Sequence, residues 1–426
     1  MHLGLKNKLQ SELVRNSARL LSANIVAQAI GLLVYPILTR LYSPADFGLL
    51  NLFMSIGGIL VLIATAEYQN AIVLPKEESR ARAIVQLCTC LLLCFTLLLI
   101  ATVPFSRPIA SLFNAPDLAR WWWLMPVYVL SLGGWQIFRY YLLRHKEFRN
   151  LSLYQYIQSI LNAGGKWGFG LTGWFSGGML FSSVFAPLFA LVGSIGVAWK
   201  RLFCQQRMAK IEECEIEAKN YRNFPLYSLP RTLVNYLSGN LPNLMLVSVF
   251  GLTELGFFGM ALTLAFQPIN MIAQSIYQVL FQRTAQLVNE HKKIGKVLYG
   301  YVAQAAIVII PAFVGLYFIL PWLTSILLGD EWRVSGEYIR LMLPWVLMIS
   351  ITSPIGFVSD IFHKQKVAFG IEVLYLILRM AALTAGVLLE DFRMAIILYS
   401  LVGTVVIAGQ LIWYGYIINH HDNLID

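Results

Sequence analysis

Residues 83–103 read AIVQLCTCLLLCFTLLLIATV, a run of 21 residues without a single charge. An α-helix needs about 20 mainly apolar residues to cross the hydrocarbon core of a membrane, because each residue adds about 1.5 Å. Eleven further stretches meet the same standard. The twelve predicted spans are 20–39, 47–66, 83–103, 119–138, 152–172, 178–199, 226–249, 257–280, 297–319, 339–358, 367–389 and 393–417. The predicted fold class is an all-α polytopic membrane protein, since a β-barrel needs short alternating segments instead.

The basic residues follow a strict pattern along the chain. Of the 32 Lys and Arg, 23 lie in the N-terminal segment or in every second gap between spans, whereas the other gaps hold 6 and the spans hold 3. Basic residues concentrate on the cytoplasmic side of membrane proteins, so this asymmetry predicts that both termini are cytoplasmic. Residues 1–19 are polar and basic, unlike a cleavable signal peptide. The net charge of +10 therefore reports orientation and not binding to nucleic acid.

A charged segment over residues 200–225 divides the predicted spans six and six. The sequence thus predicts an N-terminal six-helix lobe over 1–199 and a C-terminal six-helix lobe over 226–426. Between them, the periodic charges of 200–225 predict a cytoplasmic linker that forms a solvated helix.

The two predicted lobes share a short motif. Residues 41–48 (LYSPADFG) and 249–256 (VFGLTELG) both contain an aromatic residue, a turn residue, an acid, a large apolar residue and a glycine, in that order. Asp46 and Glu254 are predicted to lie in the first turns of spans two and eight, where a negative charge favours the helix dipole.

Three basic residues fall inside predicted spans: Lys166, Arg231 and Arg379. Charges at membrane depth are costly, so they usually face a bundle interior or water and mark function. Arg379 and Lys166 are predicted to line a cavity, with a structural ion pair as the alternative. Arg231 is near enough to the inner surface for its side chain to reach water. Glu372, two turns before Arg379 on one face, and Glu67, at the end of span two, are candidates for ion coupling.

Other motifs predict packing and no chemistry. Residues 168–173 spell GxGxxG, but they lie within a span, and the GxxxG spacing of Gly164 and Gly168 predicts close helix packing. No cluster of cysteine and histidine has the spacing of metal ligands, and no catalytic set lies at one membrane depth. We therefore predict no metal, no cofactor and no enzymatic activity.

Aromatic residues and prolines are frequent in the spans. Tryptophans near span ends, Trp332 and Trp345 among them, predict an interfacial belt. Prolines inside spans fit two interpretations, because each favours a kink. The kinks either curve the helices around a bundle or let bent helices line a wide cavity and hinge during transport.

Three stretches resemble the O-antigen and polysaccharide flippases of the Wzx type: residues 16–19 (NSAR), 41–48 (LYSPADFG) and 221–230 (YRNFPLYSLP). Those flippases belong to the multidrug/oligosaccharidyl-lipid/polysaccharide exporter superfamily. The resemblance implies about 12 transmembrane helices in two six-helix lobes around a central V-shaped cavity that opens alternately to each side.

The resemblance also implies a substrate, an undecaprenyl-diphosphate-linked oligosaccharide repeat unit moved from the cytoplasmic to the periplasmic leaflet of a bacterial inner membrane. Membrane lipid and other polysaccharide assembly proteins are the implied partners. A diphosphate in a low dielectric needs positive partners, so Lys166, Arg231 and Arg379 become candidate substrate-binding cations. Arg19, at the mouth of span one, is placed to receive the head group.

Three other functions compete with this interpretation. A multidrug or cation antiporter of the same superfamily would need acids deep in its cavity, and the buried charges here are mainly basic. A polymerase or glycosyltransferase would need a long outer loop with catalytic residues, and the outer gaps are short. A peptidoglycan-precursor flippase shares the lipid diphosphate, so the sequence leaves that alternative open.

Overall fold

The computed structural model describes residue 26, residues 28–199 and residues 209–425, and this part of the chain is helical without any strand. The α-helices, in chain order, are α1 (Gln28–Leu38), α2 (Pro44–Thr65), α3 (Glu78–Ala101), α4 (Ser106–Ser111), α5 (Pro116–Trp121), α6 (Leu124–Arg144), α7 (Phe148–Leu171), α8 (Phe175–Trp199), α9 (Ile211–Asn220), α10 (Leu229–Asn289), α11 (Gly295–Leu328), α12 (Arg333–Thr352), α13 (Val358–Ile361), α14 (Gln365–Leu388) and α15 (Phe392–Asn423). The prediction of an all-α fold is confirmed.

Each predicted span from the second to the twelfth overlaps a helix, and most of the described part of the first is helical too. Among the described residues, eight helices are long and apolar enough to cross a membrane. One of them, Phe224–Asn289, contains α10 and covers predicted spans seven and eight. Its helical geometry is interrupted at Gly251, with φ 83° and ψ 179°, a backbone conformation that favours glycine. Pro242 and Pro268 lie inside the same helix without such an interruption.

The motif at residues 41–48 forms the start of α2. Ser43 is the N-cap, Pro44 is the first helical residue, and Asp46 closes a capping box by accepting hydrogen bonds from the Ser43 backbone and hydroxyl. Asp46 is therefore confirmed as a first-turn acid. Its counterpart Glu254 follows the break at Gly251 by three residues and accepts a hydrogen bond from the Tyr338 hydroxyl.

By their internal contacts the residues form two compact units, an N-terminal unit up to Asn240 and a C-terminal unit from Leu241. The first turns of α10 thus belong with the N-terminal unit, where they pack on α2. The Tyr236 hydroxyl donates to the Met54 carbonyl at 3.2 Å, and Ser55 Oγ donates to Asn240 Oδ1 at 3.1 Å. The division into lobes 1–199 and 226–426 with a linker at 200–225 stays a prediction.

The linker helix α9 belongs to the N-terminal unit, where it packs against α3. Arg80 on α3 forms a bidentate ion pair with Glu217, at 2.7 and 3.1 Å, and the carboxylate is buried at 4% exposure. The Tyr68 hydroxyl donates to the Ala218 carbonyl at 3.1 Å, and the half-buried Cys214 thiol lies 3.6 Å from the Ala83 carbonyl. The prediction of a solvated helix is therefore wrong for this face of α9, although its other acids are exposed.

The C-terminal unit has a buried apolar cluster at one end of its helices. It includes Leu287, Leu298, Phe357 and Ile417, contributed by α10, α11, the segment before α13, and α15. Asp422, in the last turn of α15, lies beside this cluster. Its carboxylate accepts hydrogen bonds from the backbone N–H groups of residues 294 and 295, both at 2.8 Å, and so caps the start of α11.

The close packing predicted for the glycines of span five is only partly present. A Cβ built at Gly164 or Gly168 would meet no atom within 4 Å, so the prediction for these two positions is wrong. The close approach of α7 to α8 occurs instead at Gly165, where a Cβ would lie 2.7 Å from Ser182 Oγ. The glycine pair that matches the GxxxG spacing thus differs from the glycine that the packing requires.

Candidate functional site

Arg379 lies near the middle of α14, enclosed by three aromatic rings of the C-terminal unit. Its guanidinium carbon is 3.9 Å from the ring centroid of Tyr375, one turn earlier on α14. It is 4.6 Å from the rings of both Trp345 on α12 and Tyr399 on α15. Arg379 is only 7% exposed, so these rings are its immediate surroundings. We call these four residues the arginine cage.

The packing around the cage explains how three helices approach so closely. A Cβ at Gly403 on α15 would lie 2.5 Å from the Trp345 ring, so glycine is needed there to admit the indole. Phe266 on α10 packs on the other side of Trp345, with the ring centroids 4.6 Å apart. Trp345 and Tyr399 meet edge to face at 5.2 Å. The rings are therefore held by their neighbours, independently of the arginine.

The cage contains buried polar groups without a well-formed hydrogen bond, although the Trp345 indole and the Arg379 guanidinium both lie close enough to the Tyr375 hydroxyl to interact with it. Within the described residues, Arg379 Nε, Trp345 Nε1 and the Tyr375 hydroxyl are buried atoms without a well-formed hydrogen bond. Arg379 also forms no ion pair with a carboxylate in this part of the chain. Aromatic faces attract a desolvated cation by about 2 kcal/mol per contact without cancelling its charge. The cage thus stabilises the guanidinium and leaves its charge and its N–H group available to an anion.

Lys166 lies on α7 of the N-terminal unit and is half-buried. Its backbone carbonyl accepts a hydrogen bond from the Tyr42 hydroxyl at 2.5 Å, which ties α7 to the segment before α2. In the described ranges no carboxylate forms an ion pair with the Lys166 ammonium. The structural ion pair considered as an alternative for Lys166 is therefore absent from this part of the protein.

Arg231 and Glu67 lie near each other at one end of the contact between α2 and α10. Arg231 is exposed, whereas Glu67 is 6% exposed and has a left-handed backbone conformation with φ 61°. The Asn70 side-chain amide donates a hydrogen bond to the Glu67 carboxylate. Burial raises the pKa of Glu67, and the Asn70 hydrogen bond and the Arg231 charge oppose that rise only in part. Glu67 is thus a buried carboxyl group that holds a proton more tightly than an exposed one.

The remaining two predicted residues have different positions. Arg19 lies outside the described residues. Glu372 is exposed on α14 and is close enough to the Tyr414 hydroxyl for its charge to act there. The structure therefore brings Glu67 and Arg231 together, encloses Arg379 in aromatic rings, and leaves Lys166 at a separate position on α7.

The sequence of this chain matches the profile of a protein family described as "Polysaccharide biosynthesis protein" over residues 37–337. That match covers more than half of the chain. The chain belongs to this family.

Two curated relatives of this chain are named for the biosynthesis of surface polysaccharides, and one of them is named as a transport protein. The chain is 22% identical over 313 residues to the succinoglycan biosynthesis transport protein ExoT of Rhizobium meliloti (strain 1021), covering 72% of this chain and 60% of the relative. It is 23% identical over 375 residues to the lipopolysaccharide biosynthesis protein WzxC of Escherichia coli (strain K12), covering 85% of this chain and 73% of the relative. The resemblance noted in the sequence is thereby confirmed at the level of the family.

Solved structures show the same fold at low identity. The lipid II flippase MurJ in an inward closed conformation has a TM-score of 0.71 at 13% identity, covering 95% of this chain and 89% of that one. An inward-facing multidrug resistance MATE transporter of the MOP superfamily has a TM-score of 0.62 at 15% identity, covering 93% and 96%. These similarities show that the chain has the same fold as these membrane proteins, with helices arranged in two lobes.

Sequence reasoning missed most of the cage. Trp345 was predicted to lie in an interfacial belt, but it is 4% exposed and contacts Arg379, and Trp332 is fully buried as well. The belt prediction is wrong for these two tryptophans of the polysaccharide biosynthesis protein. Tyr375 had a usable signal, because it precedes Arg379 by four residues and so lies on the same helix face.

Proposed function

We propose that the protein is a flippase that moves undecaprenyl-diphosphate-linked oligosaccharide repeat units from the cytoplasmic to the periplasmic leaflet by alternating access. The polysaccharide is an O-antigen or a related surface polymer. Membership of the polysaccharide biosynthesis family and the relative named for lipopolysaccharide biosynthesis support the class of substrate, and the relative named as a transport protein supports translocation. The observation that carries the proposal is the arginine cage, a buried cation without a carboxylate partner in the described residues.

The cage suits a diphosphate for an electrostatic reason. A carboxylate beside Arg379 would stabilise the arginine but would also neutralise it and repel a phosphate. Three aromatic faces offset part of the desolvation cost and leave the positive charge intact. Guanidinium groups bind phosphate oxygens with paired N–H donors, so Arg379 is the proposed contact for the diphosphate during passage.

The other candidate cations have distinct proposed tasks. Lys166 adds a second positive charge, on α7, without an acid to neutralise it in the described residues. Arg231 and Arg19 would act near the inner surface, where the head group enters. Glu67, with its buried carboxyl group beside the Arg231 charge, is the better candidate for ion coupling, and the exposed Glu372 is the second.

The location follows from the same proposal. A lipid-linked repeat unit is built on the inner leaflet, so the protein would lie in the bacterial inner membrane with both termini in the cytoplasm. No enzymatic step and no cofactor is part of the proposed transport, and the partners are the lipid-linked sugar, membrane lipid and other proteins of polysaccharide assembly. The basic gaps between spans would face the cytoplasm and take no part in nucleic-acid binding.

The test is deletion and complementation in a bacterium that carries this gene. Deletion should remove the surface polysaccharide and cause undecaprenyl-diphosphate-linked units to accumulate in the cytoplasmic leaflet, and the wild-type gene should reverse both effects. Arg379→Ala should fail to complement at a normal protein level. Arg340→Ala is the matched control, because Arg340 is a half-buried arginine of the same unit whose guanidinium lies over Tyr317.

Each outcome decides a different part of the proposal. If the deletion strain keeps its surface polysaccharide and accumulates no lipid-linked sugar, the flippase function is wrong. If Arg379→Ala complements as well as wild type, the function stands and the assignment of Arg379 is wrong. The composition of the accumulated units identifies the sugar and separates a polysaccharide repeat unit from a peptidoglycan precursor.

A further inference from the structure

A second basic site lies in the N-terminal unit, well separated in sequence from Arg379. The short helices α4 and α5 form a groove of about 730 Å³ in the gap between α3 and α6, a gap that the charge pattern assigns to the outer face. Its polar lining comprises Arg107, Arg120, Ser106, Ser111 and Asn114, and none of the residues that line it is acidic. We call this the outer groove.

The outer groove is fixed in shape by its neighbours. Its floor contains Ala110 and Ala115, which are fully buried. The Arg120 guanidinium lies over the Trp121 ring at 5.3 Å, and Trp122 Nε1 donates to Thr102 Oγ1 at 3.0 Å, which ties the end of α5 to the end of α3. The arginine and its support are therefore positioned before any ligand binds.

The outer groove is basic on balance, with two arginines in its lining and one nearby acid, the exposed Asp117, one turn before Arg120 on α5. Arg107 and Arg120 are exposed, and in the part of the chain that the structure describes neither forms an ion pair. Two guanidinium groups beside the Ser106 hydroxyl provide N–H and O–H donors that suit the oxygens of a phosphate, whereas the Ser111 hydroxyl already donates to a backbone carbonyl within α4 at 2.7 Å. A cationic ligand would be repelled, so the chemistry of the groove selects an anion.

Apolar side chains on both sides of α4 indicate the depth at which the groove lies. Phe105, just before α4, is 62% exposed, and Leu112, just after it, is 75% exposed. Exposed apolar side chains next to arginines are typical of the level where hydrocarbon meets lipid head groups. An anion bound at this level is therefore a lipid phosphate and not a soluble metabolite.

We propose that the outer groove binds the phosphate of a lipid in the outer leaflet, through Arg107 and Arg120. Two lipids carry this chemistry: a resident anionic phospholipid, and the prenyl diphosphate that leaves the transporter. Binding of the prenyl diphosphate rests on the proposed flippase function, whereas binding of a resident phospholipid does not. Binding of either would hold a phosphate beside the outer end of α3.

Lipid binding by the purified full-length protein tests the proposal. Native mass spectrometry would titrate phosphatidylglycerol, undecaprenyl diphosphate and zwitterionic phosphatidylcholine against wild type, Arg107→Gln/Arg120→Gln and the single variant Arg107→Gln. An arginine near an anionic membrane contributes about a fivefold change in affinity, so the double variant should bind its lipid about 30-fold more weakly than wild type. Phosphatidylcholine should bind equally to all three proteins.

A matched pair of arginines controls for overall charge. Arg40→Gln/Arg333→Gln removes two exposed arginines that the charge pattern also assigns to the outer face, outside the groove. This control should bind lipid like wild type. Thermal unfolding should show that all variants fold. If the double variant does not fold, the single variant Arg107→Gln still tests the groove.

The outcomes separate the two sources and expose a wrong proposal. Weaker binding of phosphatidylglycerol alone identifies a phospholipid site, weaker binding of undecaprenyl diphosphate alone identifies a site for the transported lipid, and weaker binding of both identifies a general phosphate site. Equal binding by wild type and the groove variants, or an equal loss in the control pair, overturns the proposal. Complementation of surface polysaccharide is measured separately. The lipid-binding result can therefore be interpreted even if the proposed flippase function is wrong.

Discussion

Two regions of the molecule treat charge in opposite ways: the basic gaps of the N-terminal unit, and the arginine cage of the C-terminal unit. In the N-terminal unit the charges near the basic gaps are paired: Arg80 with the buried Glu217, and Arg144 with Glu78 at 3.0 Å. In the C-terminal unit the buried Arg379 is surrounded by three aromatic rings and meets no carboxylate in the described residues. The difference teaches that a paired charge fastens helices together, whereas a charge kept among aromatic rings remains free to attract a ligand.

The largest effect should come from replacing Arg379 with an apolar residue of similar length. Arg379→Met should abolish surface polysaccharide while the protein keeps normal abundance, because replacing a buried charge with an apolar side chain is often neutral or stabilising. The measurements are polysaccharide immunoblotting and thermal unfolding of the purified protein. If Arg379→Met exports polysaccharide normally, or if the variant protein fails to accumulate in the cell, the cage is a structural feature. The contrast between paired charges and a charge kept for a ligand then no longer holds.

Replacing Lys166 should reduce polysaccharide export less than replacing Arg379. Lys166→Gln should reduce surface polysaccharide without abolishing it, because Lys166 is less buried than Arg379 and no aromatic ring lies over its ammonium in the described residues, so the site is built less closely around its charge. Lys166→Arg should restore export, since it keeps the charge. Export should be compared with that of Arg379→Met in the same strain, and a Lys166→Gln defect as severe as that of Arg379→Met would contradict the ranking of the two cations.

The ion pair that fastens α9 can be tested with a native cysteine. Cys214 is half-buried against α3, so undocking of α9 should expose its thiol. Cys90 and Cys94 are exposed, so the background should carry serine at residues 90, 94 and 204. In that background Glu217→Gln should increase the rate of maleimide labelling about fivefold, as expected for a pair worth about 1 kcal/mol with one exposed partner. Glu215→Gln, an exposed acid on the same helix, is the control and should leave the rate unchanged.

The smallest effect should be a change in pH dependence at Glu67. Its folded pKa is raised by burial, so its contribution to stability is fully present below the unfolded pKa of about 4.3 and is lost as pH rises through the folded pKa. Glu67→Gln does not titrate, so the variant should match wild type in acid and gain stability relative to it towards neutral pH. Thermal unfolding across this pH range checks the sign, and parallel curves for the two proteins would refute it.

Local sequence features predicted the helices well. Residues 83–103 lie almost entirely within α3, and the Ser43–Asp46 capping box begins α2 where the motif suggested. These features depend on hydrophobicity and on contacts within three or four residues, both of which can be read from one stretch of chain. The predicted boundaries shift by several residues where spans are interrupted, as at Trp121, where α5 ends before α6 begins.

Features built from distant residues could not be predicted in the same way. Trp345, Tyr375 and Tyr399 come from three helices, and only their packing brings the rings around Arg379. The docking of α9 likewise depends on one acid, Glu217, facing Arg80 137 positions away, while its neighbours face solvent. A hydrophobicity pattern does not say which acid of a charged helix is buried, so these contacts required the structure.

The cap formed by Asp422 has a practical consequence for work with this protein. Removing the last few residues, as is common when a tag is fused, would leave the two amide groups at the start of α11 without their acceptor. A tag joined directly after Asn419 would therefore weaken a helix more than 120 positions earlier in the chain. Fusions should keep the chain intact through Asp422, and a loss of expression in a shortened version should be attributed to this helix end before transport itself is blamed.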